Sequence, residues 1–174
     1  MDSLQLICDF VNTADLEEGD DKLAEARGLQ YWLVFHGLTE LRARATERDA
    51  AAARALREAL RELLAANNGI AVDRNRASAK LSAIAQAVGL VVRFEGGALR
   101  LVPTGEGAAA GVGRVLAAVG AAMGDGSWQQ LKVCRSETCR WAFLDRSRNR
   151  SRQWCDMAVC GNRAKARAFR ERHA

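Results

Sequence analysis

Several things are scarce in this chain. Among 174 residues there are only two histidines, one proline and one tyrosine. No H-E-x-x-H, no P-loop and no Ser/His/Asp order occurs, so the common signatures of metallohydrolases, nucleotide-driven enzymes and acyl-transfer enzymes are missing, and an enzyme is not expected. His36 has no Cys or His neighbour at ligand spacing and reads as a partly buried, hydrogen-bonded residue. No stretch approaches 18 uncharged apolar residues, which leaves no expected membrane span. Acidic Asp2 stands where a signal peptide would be basic, and no small-residue cleavage site follows. A cytoplasmic protein with reduced thiols is the expectation.

What the chain does have is four of its five cysteines near one end, as Cys134-x4-Cys139, fifteen residues, then Cys155-x4-Cys160. Thiolates that converge on one tetrahedral Zn2+ usually arrive as two short-spaced pairs joined by a longer excursion. No His lies between Cys134 and Cys160, so a four-cysteine site is the only complete set. Two disulfides, a redox pair or buried apolar thiols are the other readings. Disulfides require an oxidising compartment. The residues from Lys132 onward hold few large apolar side chains and need a further source of stability. Zinc would supply it, on the order of 10–16 kcal/mol appearing as folding free energy. Four thiolates also saturate the ion, which argues for one structural zinc and against a catalytic one. Cys8 has no partner in sequence and reads as an apolar helix residue.

Charge separates the same segment from the rest. From Lys132 to Ala174 there are 12 Lys/Arg against 4 Asp/Glu, whereas residues 1–131 carry 14 against 17. Arg146, Arg148, Arg150 and Arg152 alternate with short polar residues, so an extended stretch would place four guanidiniums on one side, and a turn near Asn149 would break the series. A second array, Arg163, Lys165, Arg167 and Arg170, lies in a run of good helix formers. At 100° per residue, Arg163, Arg167 and Arg170 share a sector of about 60°. Arginine forks suit phosphate oxygens and guanine edges. A merely solvated helix is the bland alternative. Trp141, Phe143 and Trp154 flank the ligands and read as a small core around the sulfur cage, with base stacking as the alternative.

Cys160-Gly161-Asn162-Arg163, preceded by the arginine run and by Trp154-Cys155-Asp156-Met157, resembles the CGNR zinc-finger family. The likeness extends from about Leu131 to Arg167 and includes Cys134, Cys139, Phe143-Leu144-Asp145-Arg146-Ser147 and Ala164-Lys165-Ala166. Asp9-Phe10-Val11-Asn12-Thr13 is similar to the opening of the ABATE domain that precedes such fingers. The resemblance implies a DNA-contacting finger in a regulator of transcription. It also suggests a small-molecule pocket involving Asp9, Asn12, Thr13 and Trp32, although Asn12 and Thr13 equally suit local backbone bonding at a helix end.

The remaining residues predict an α+β chain that is mainly helical. Residues 1–126 form a helical domain with one β-hairpin, which would sense an effector or dimerise, and residues 127–174 form the basic zinc finger. Helices are expected from Leu4 to Val11, over 22–36 behind an Asp21 cap, from Thr46 to Asn67 and from Asp73 to Val88. Arg54, Glu58 and Arg61 fall on the side of the third helix away from its leucines. Leu90–Phe94 and Ala98–Val102 flank Gly96-Gly97 as a hairpin. Gly105, Gly107 and Gly111 miss the G-x-G-x-x-G spacing and read as a lead into a helix. Gly124–Ser127 reads as a hinge. The finger is expected to have strands at Leu131–Val133 and near Gln153 and a closing basic helix, an order resembling a treble clef. Duplex DNA is the expected partner, with an acidic protein or RNA as alternatives.

Overall fold

Asp2 opens the first helix: its carboxylate accepts from Leu4 N at 3.0 Å, and α1 (Ser3–Val11) follows, burying Leu6, Ile7, Cys8, Phe10 and Val11. The computed structural model describes residues 2–173. After α1 the acidic segment forms a minimal hairpin, β1 (Ala14–Asp15) antiparallel to β2 (Asp20–Asp21). The helix expected from residue 22 begins later, as α2 (Ala26–Phe35). Asp21 is drawn elsewhere, its two carboxylate oxygens accepting from Arg57 Nη1 at 2.5 Å and Nη2 at 2.9 Å. Residue 22 also crosses the start of the helix so closely that a Cβ on Gly28 would stand 2.1 Å from Lys22 O. α2 buries Leu29, Trp32 and Leu33.

Thr46 and Asp49 form the reciprocal capping box that starts α3 (Glu47–Asn67), and Leu56, Leu60, Leu63 and Leu64 are all buried along it. Arg61 departs from the expected solvent-facing position. It is 6% exposed, because its guanidinium donates to Val11 O at 2.7 Å and Arg140 O at 2.9 Å, satisfying carbonyls that α1 and the finger leave open. Burial pulls the pKa of Arg61 downward, while the carboxylates that flank Arg57 outweigh its burial and raise it.

Asp73 caps α4 (Arg74–Ala87) by accepting from Arg76 N at 2.9 Å. The expected hairpin follows as β3 (Leu90–Glu95) and β4 (Ala98–Pro103), paired from Leu90↔Pro103 to Glu95↔Ala98. In α5 (Gly107–Gly124) a Cβ on Gly111 would meet the Leu33 methyls at 3.0 Å. That glycine therefore permits close helix packing and belongs to no phosphate loop. With a mean hydropathy of 1.4, α5 is long and apolar enough to cross a bilayer. Half of it is nonetheless buried within the protein, and Arg114 interrupts it by donating to Leu38 O at 2.5 Å. These are the marks of a core helix.

The segment expected to hinge leads within a few residues into the core. Asp125 accepts from Ser127 N at 2.8 Å, and a 3-10 turn (Ser127–Gln130) buries Trp128. The antiparallel pair β5 (Leu131–Val133) and β6 (Ala142–Leu144) follows. Leu131, Val133 and Ala142 join the apolar cluster built by α1, α2, α3 and α5. No strand forms near Gln153. Its carbonyl instead accepts from Arg135 N at 3.1 Å and from Asn68 Nδ2 at 2.9 Å, which anchors an irregular crossing. The chain closes through a π-turn (Met157–Gly161) into α6 (Asn162–His173). The result is a mainly helical α+β fold with three short hairpins among the described residues.

Candidate metal centre and basic surface

Each thiol pair sits where the backbone turns. β5 delivers Cys134, and a turn closed by Cys139 N to Ser136 O at 3.2 Å and Arg140 N to Ser136 O at 3.0 Å delivers Cys139. Asp156 caps the second turn by accepting from Ala158 N at 2.7 Å and Val159 N at 3.1 Å, and this places Cys160 in the π-turn at the root of α6. The four Sγ atoms lie within 4.8 Å of one another. Cys139 and Cys155 are 3.6 Å apart, and Cys155 and Cys160 3.8 Å. A tetrahedron of ~2.3 Å Zn–S bonds has edges of about 3.8 Å, whereas a disulfide needs about 2.05 Å. The set fits one structural zinc, and all five cysteines are free of disulfides.

The electrostatics of the cage call for a cation. Burial and the crowding of neighbouring sulfurs push the Cys155 thiol far up and that of Cys160 up to about 12. Burial also opposes ionisation of Cys134, but backbone N–H groups of Cys155 and Ser136 point at its sulfur and hold its pKa below the usual value. Sulfurs that receive backbone donors are suited to carry charge once a dication supplies the remaining compensation. Trp141 and Trp154 pack against the cysteines. Phe143 is buried and carries the Arg152 guanidinium 4.8 Å from its ring centroid.

The arginine series 146–152 is not an extended comb. Arg150 N bonds Ser147 O at 3.1 Å and Arg150 has φ 46°, so a turn at Asn149 divides it. Arg146 pairs with Asp2 at 3.0 Å, and Arg152 donates to Trp154 O at 2.8 Å and to Cys155 O. Arg148 and Arg150 are exposed at the turn. Arg163, Lys165, Arg167 and Arg170 are exposed along α6, which buries no residue at all, and Arg163 forms an ion pair with Glu17.

Sequence reasoning missed the hub that shapes this turn. Lys132 and Asp145 are 4% and 1% exposed and pair at 2.7 Å. Lys132 Nζ also donates to Arg150 O and, at 3.2 Å, to Arg152 O. Asp145 accepts from Ser147 Oγ at 2.5 Å and Arg152 N at 3.0 Å. Burial alone would raise the Asp145 pKa, but Lys132 and Ser147 outweigh it and hold the carboxyl at about 2. The signal available in sequence was an Asp-x-Ser turn motif immediately after a strand. Asn67 and Asn68 were also missed in this role. Asn67 Nδ2 donates to Trp128 O and Leu131 O, both at 3.0 Å, and Asn68 Nδ2 to Val133 O at 2.7 Å.

Of the four residues suggested for a small-molecule pocket, Asp9, Asn12 and Trp32 line one groove of about 980 Å³ between α1, α2 and β6. Asn12 also bonds the backbone of Ala142. Thr13 lies beneath, buried, with its hydroxyl donating to Phe10 O at 2.8 Å. His36 stands on the groove wall, its ring 4.1 Å from that of Trp32, and burial lowers its pKa.

Comparison with known families gives two matches. Residues 4–125 match the ABATE family, described as "Putative stress-induced transcription regulator", and residues 130–173 match the CGNR zinc finger. No curated protein matches the chain.

Proposed function

The chain belongs to the ABATE family and ends in a CGNR zinc finger, and on that premise we propose that it regulates transcription by placing the finger on duplex DNA. The observation that carries this reading is α6. It is a twelve-residue helix that buries none of its side chains and displays Arg163, Lys165, Arg167 and Arg170 to solvent. A helix with no fully buried side chain gains little from packing against its own fold, and apart from Arg163, paired with Glu17, its cations stand open to a partner. Cys160 fixes its root, and Arg152 ties the 147–150 turn to Cys155. Both arginine arrays are thereby referred to the same metal centre.

In this reading Arg148 and Arg150 meet phosphates, while Arg167 and Arg170, with Lys165 alongside, approach a groove. Zinc holds shape only. Four thiolates leave no site for water, so no catalytic step is assigned to it. A site of four thiolates suits a reducing compartment, in keeping with a cytoplasmic protein. The test is a salt titration of duplex binding by the zinc-loaded protein, beside single-stranded RNA and an acidic peptide. Duplex affinity should fall by about 0.9 log units per contacted phosphate per log unit of salt. Arg167→Ala together with Arg170→Ala should lower that slope. Tighter binding to the RNA or the peptide than to the duplex would overturn the assignment.

A further inference from the structure

The groove between α1, α2 and β6 is walled by aromatic rings: Tyr31, Trp32, Phe35, Trp141 and Phe143 all face it. Two of them are left largely in solvent on α2, Tyr31 at 61% and Phe35 at 84% exposed. A soluble fold rarely leaves such rings standing together beside a cavity of about 980 Å³ without a use for them. Asp9 is the only carboxylate on the lining, half-buried, with Oδ1 accepting from Gln5 Nε2 at 2.8 Å. Cys155, one of the four sulfurs, borders the same space, so the zinc–thiolate centre adds negative potential from the finger side. The one lysine on the lining, Lys22, is exposed, and burial keeps His36 toward its neutral form.

Aromatic faces with a carboxylate among them favour one chemical class. Ring quadrupoles attract a cation whose charge is spread over a weakly hydrated apolar body, and the carboxylate supplies the counter-charge. Some of these rings already do this within the protein: Arg27 lies 5.4 Å from the Tyr31 centroid and Arg152 4.8 Å from that of Phe143. We infer that the groove is a binding site for an aromatic or lipophilic organic cation, held between α2 and the zinc finger with Asp9 as its counter-ion. The site is a second function, independent of DNA contact. Because its walls come from α1, α2 and β6 together, an occupant ties the finger to the helical body.

The test uses two probes of one shape and opposite charge, tetraphenylphosphonium and tetraphenylborate, titrated calorimetrically into the zinc-loaded protein, into Asp9→Asn, and into the double variant Tyr31→Ala, Phe35→Ala. The latter two side chains are exposed, so their loss leaves the fold intact. The expected result is one saturable phosphonium site, weakened about tenfold by Asp9→Asn and abolished by the double variant. Borate binding in the groove, where any occurs, should be unweakened or strengthened by Asp9→Asn, which removes a like charge. Absence of a saturable phosphonium site would overturn the inference. So would equal affinity for both ions, or phosphonium binding unchanged in Asp9→Asn. Duplex binding measured on the same preparation stands apart, so failure of one reading leaves the other standing.

Discussion

Asn12 and Ala142, 130 positions apart, exchange two hydrogen bonds: Asn12 Nδ2 donates to Ala142 O at 2.9 Å, and Ala142 N donates to Asn12 Oδ1 at 2.7 Å. A side-chain amide thus takes the place a neighbouring strand would hold along β6, joining the end of α1 to the finger. Its position two residues before β1, in the Asp9–Thr13 stretch, gives it this reach.

Asn12→Ala removes both bonds and leaves a part-buried N–H and carbonyl unpaired. The expected cost is about 1–3 kcal/mol, read as a lower midpoint in denaturant. The loss should be accompanied by faster zinc release to a chelator, since the finger is one body with what Asn12 holds. Asn12→Asp keeps the acceptor and loses the donor, and should fall between the two. An unchanged midpoint in Asn12→Ala would show that the pair contributes nothing to stability.

Removing zinc should divide the finger instead of melting it whole. Leu131, Val133 and Ala142 belong to the large apolar cluster, and Asn67 and Asn68 hold their strand through backbone carbonyls. The segment from residue 146 onward joins that cluster nowhere and is held by the metal, the Lys132–Asp145 hub, surface pairs and the two bonds to Gln153 O. Hydrogen exchange after chelation should therefore show lost protection over 146–173, with β5 and β6 retained. Cys160→Ser should reproduce the pattern in the presence of zinc.

How far this arrangement was legible in the sequence depends on the range of each interaction. Thr46 and Asp49 announce α3 because a capping box is made by neighbours, and the 90–103 hairpin announces itself because β-branched residues flank a Gly-Gly turn. The four cysteines were readable because the metal imposes their spacing. Where a side chain serves a distant carbonyl, local pattern misleads. Arg61 lies opposite the leucine stripe and so reads as solvent-facing, yet it is buried by bonds to Val11 O and Arg140 O. Asp21 reads as a helix cap, yet it serves Arg57. The groove was legible only on its helical side, where the family resemblance pointed to Asp9, Asn12 and Trp32, since its finger-side wall of Trp141 and Phe143 lies more than a hundred positions away.

The Lys132–Asp145 pair carries a pH signature. Asp145 has a folded pKa of about 2, below the ordinary carboxylate value of about 3.9. A depressed carboxylate lends stability that is complete above the unfolded value and disappears as pH falls through the folded one. The structure around Arg148 and Arg150 should therefore loosen between about pH 4 and pH 2, and Asp145→Asn should flatten that part of the stability profile. Lys132→Met leaves Asp145 buried without its cation, a change that costs about 3–5 kcal/mol in comparable pairs. It should also scatter the 147–150 turn, because Lys132 Nζ holds Arg150 O and Arg152 O. Duplex binding should then weaken although no arginine has been altered.

If the finger sits on DNA as proposed, Glu17 would compete with a phosphate for Arg163. The two are paired at the surface, and Glu17 sits in the acidic turn between β1 and β2. Before Arg163 can meet a phosphate this pair must open, whereas Arg167 has no such exchange to make with Glu17. Arg163→Ala should thus cost less duplex affinity than Arg167→Ala at the same salt. Glu17→Gln should raise affinity by no more than a few-fold, since exposed pairs are weak. The gain should disappear in the Glu17→Gln, Arg163→Ala double variant, which separates release of this one arginine from a general drop in negative charge. If Glu17→Gln strengthens binding equally with and without Arg163, the effect belongs to the overall field and the pair has no part in it.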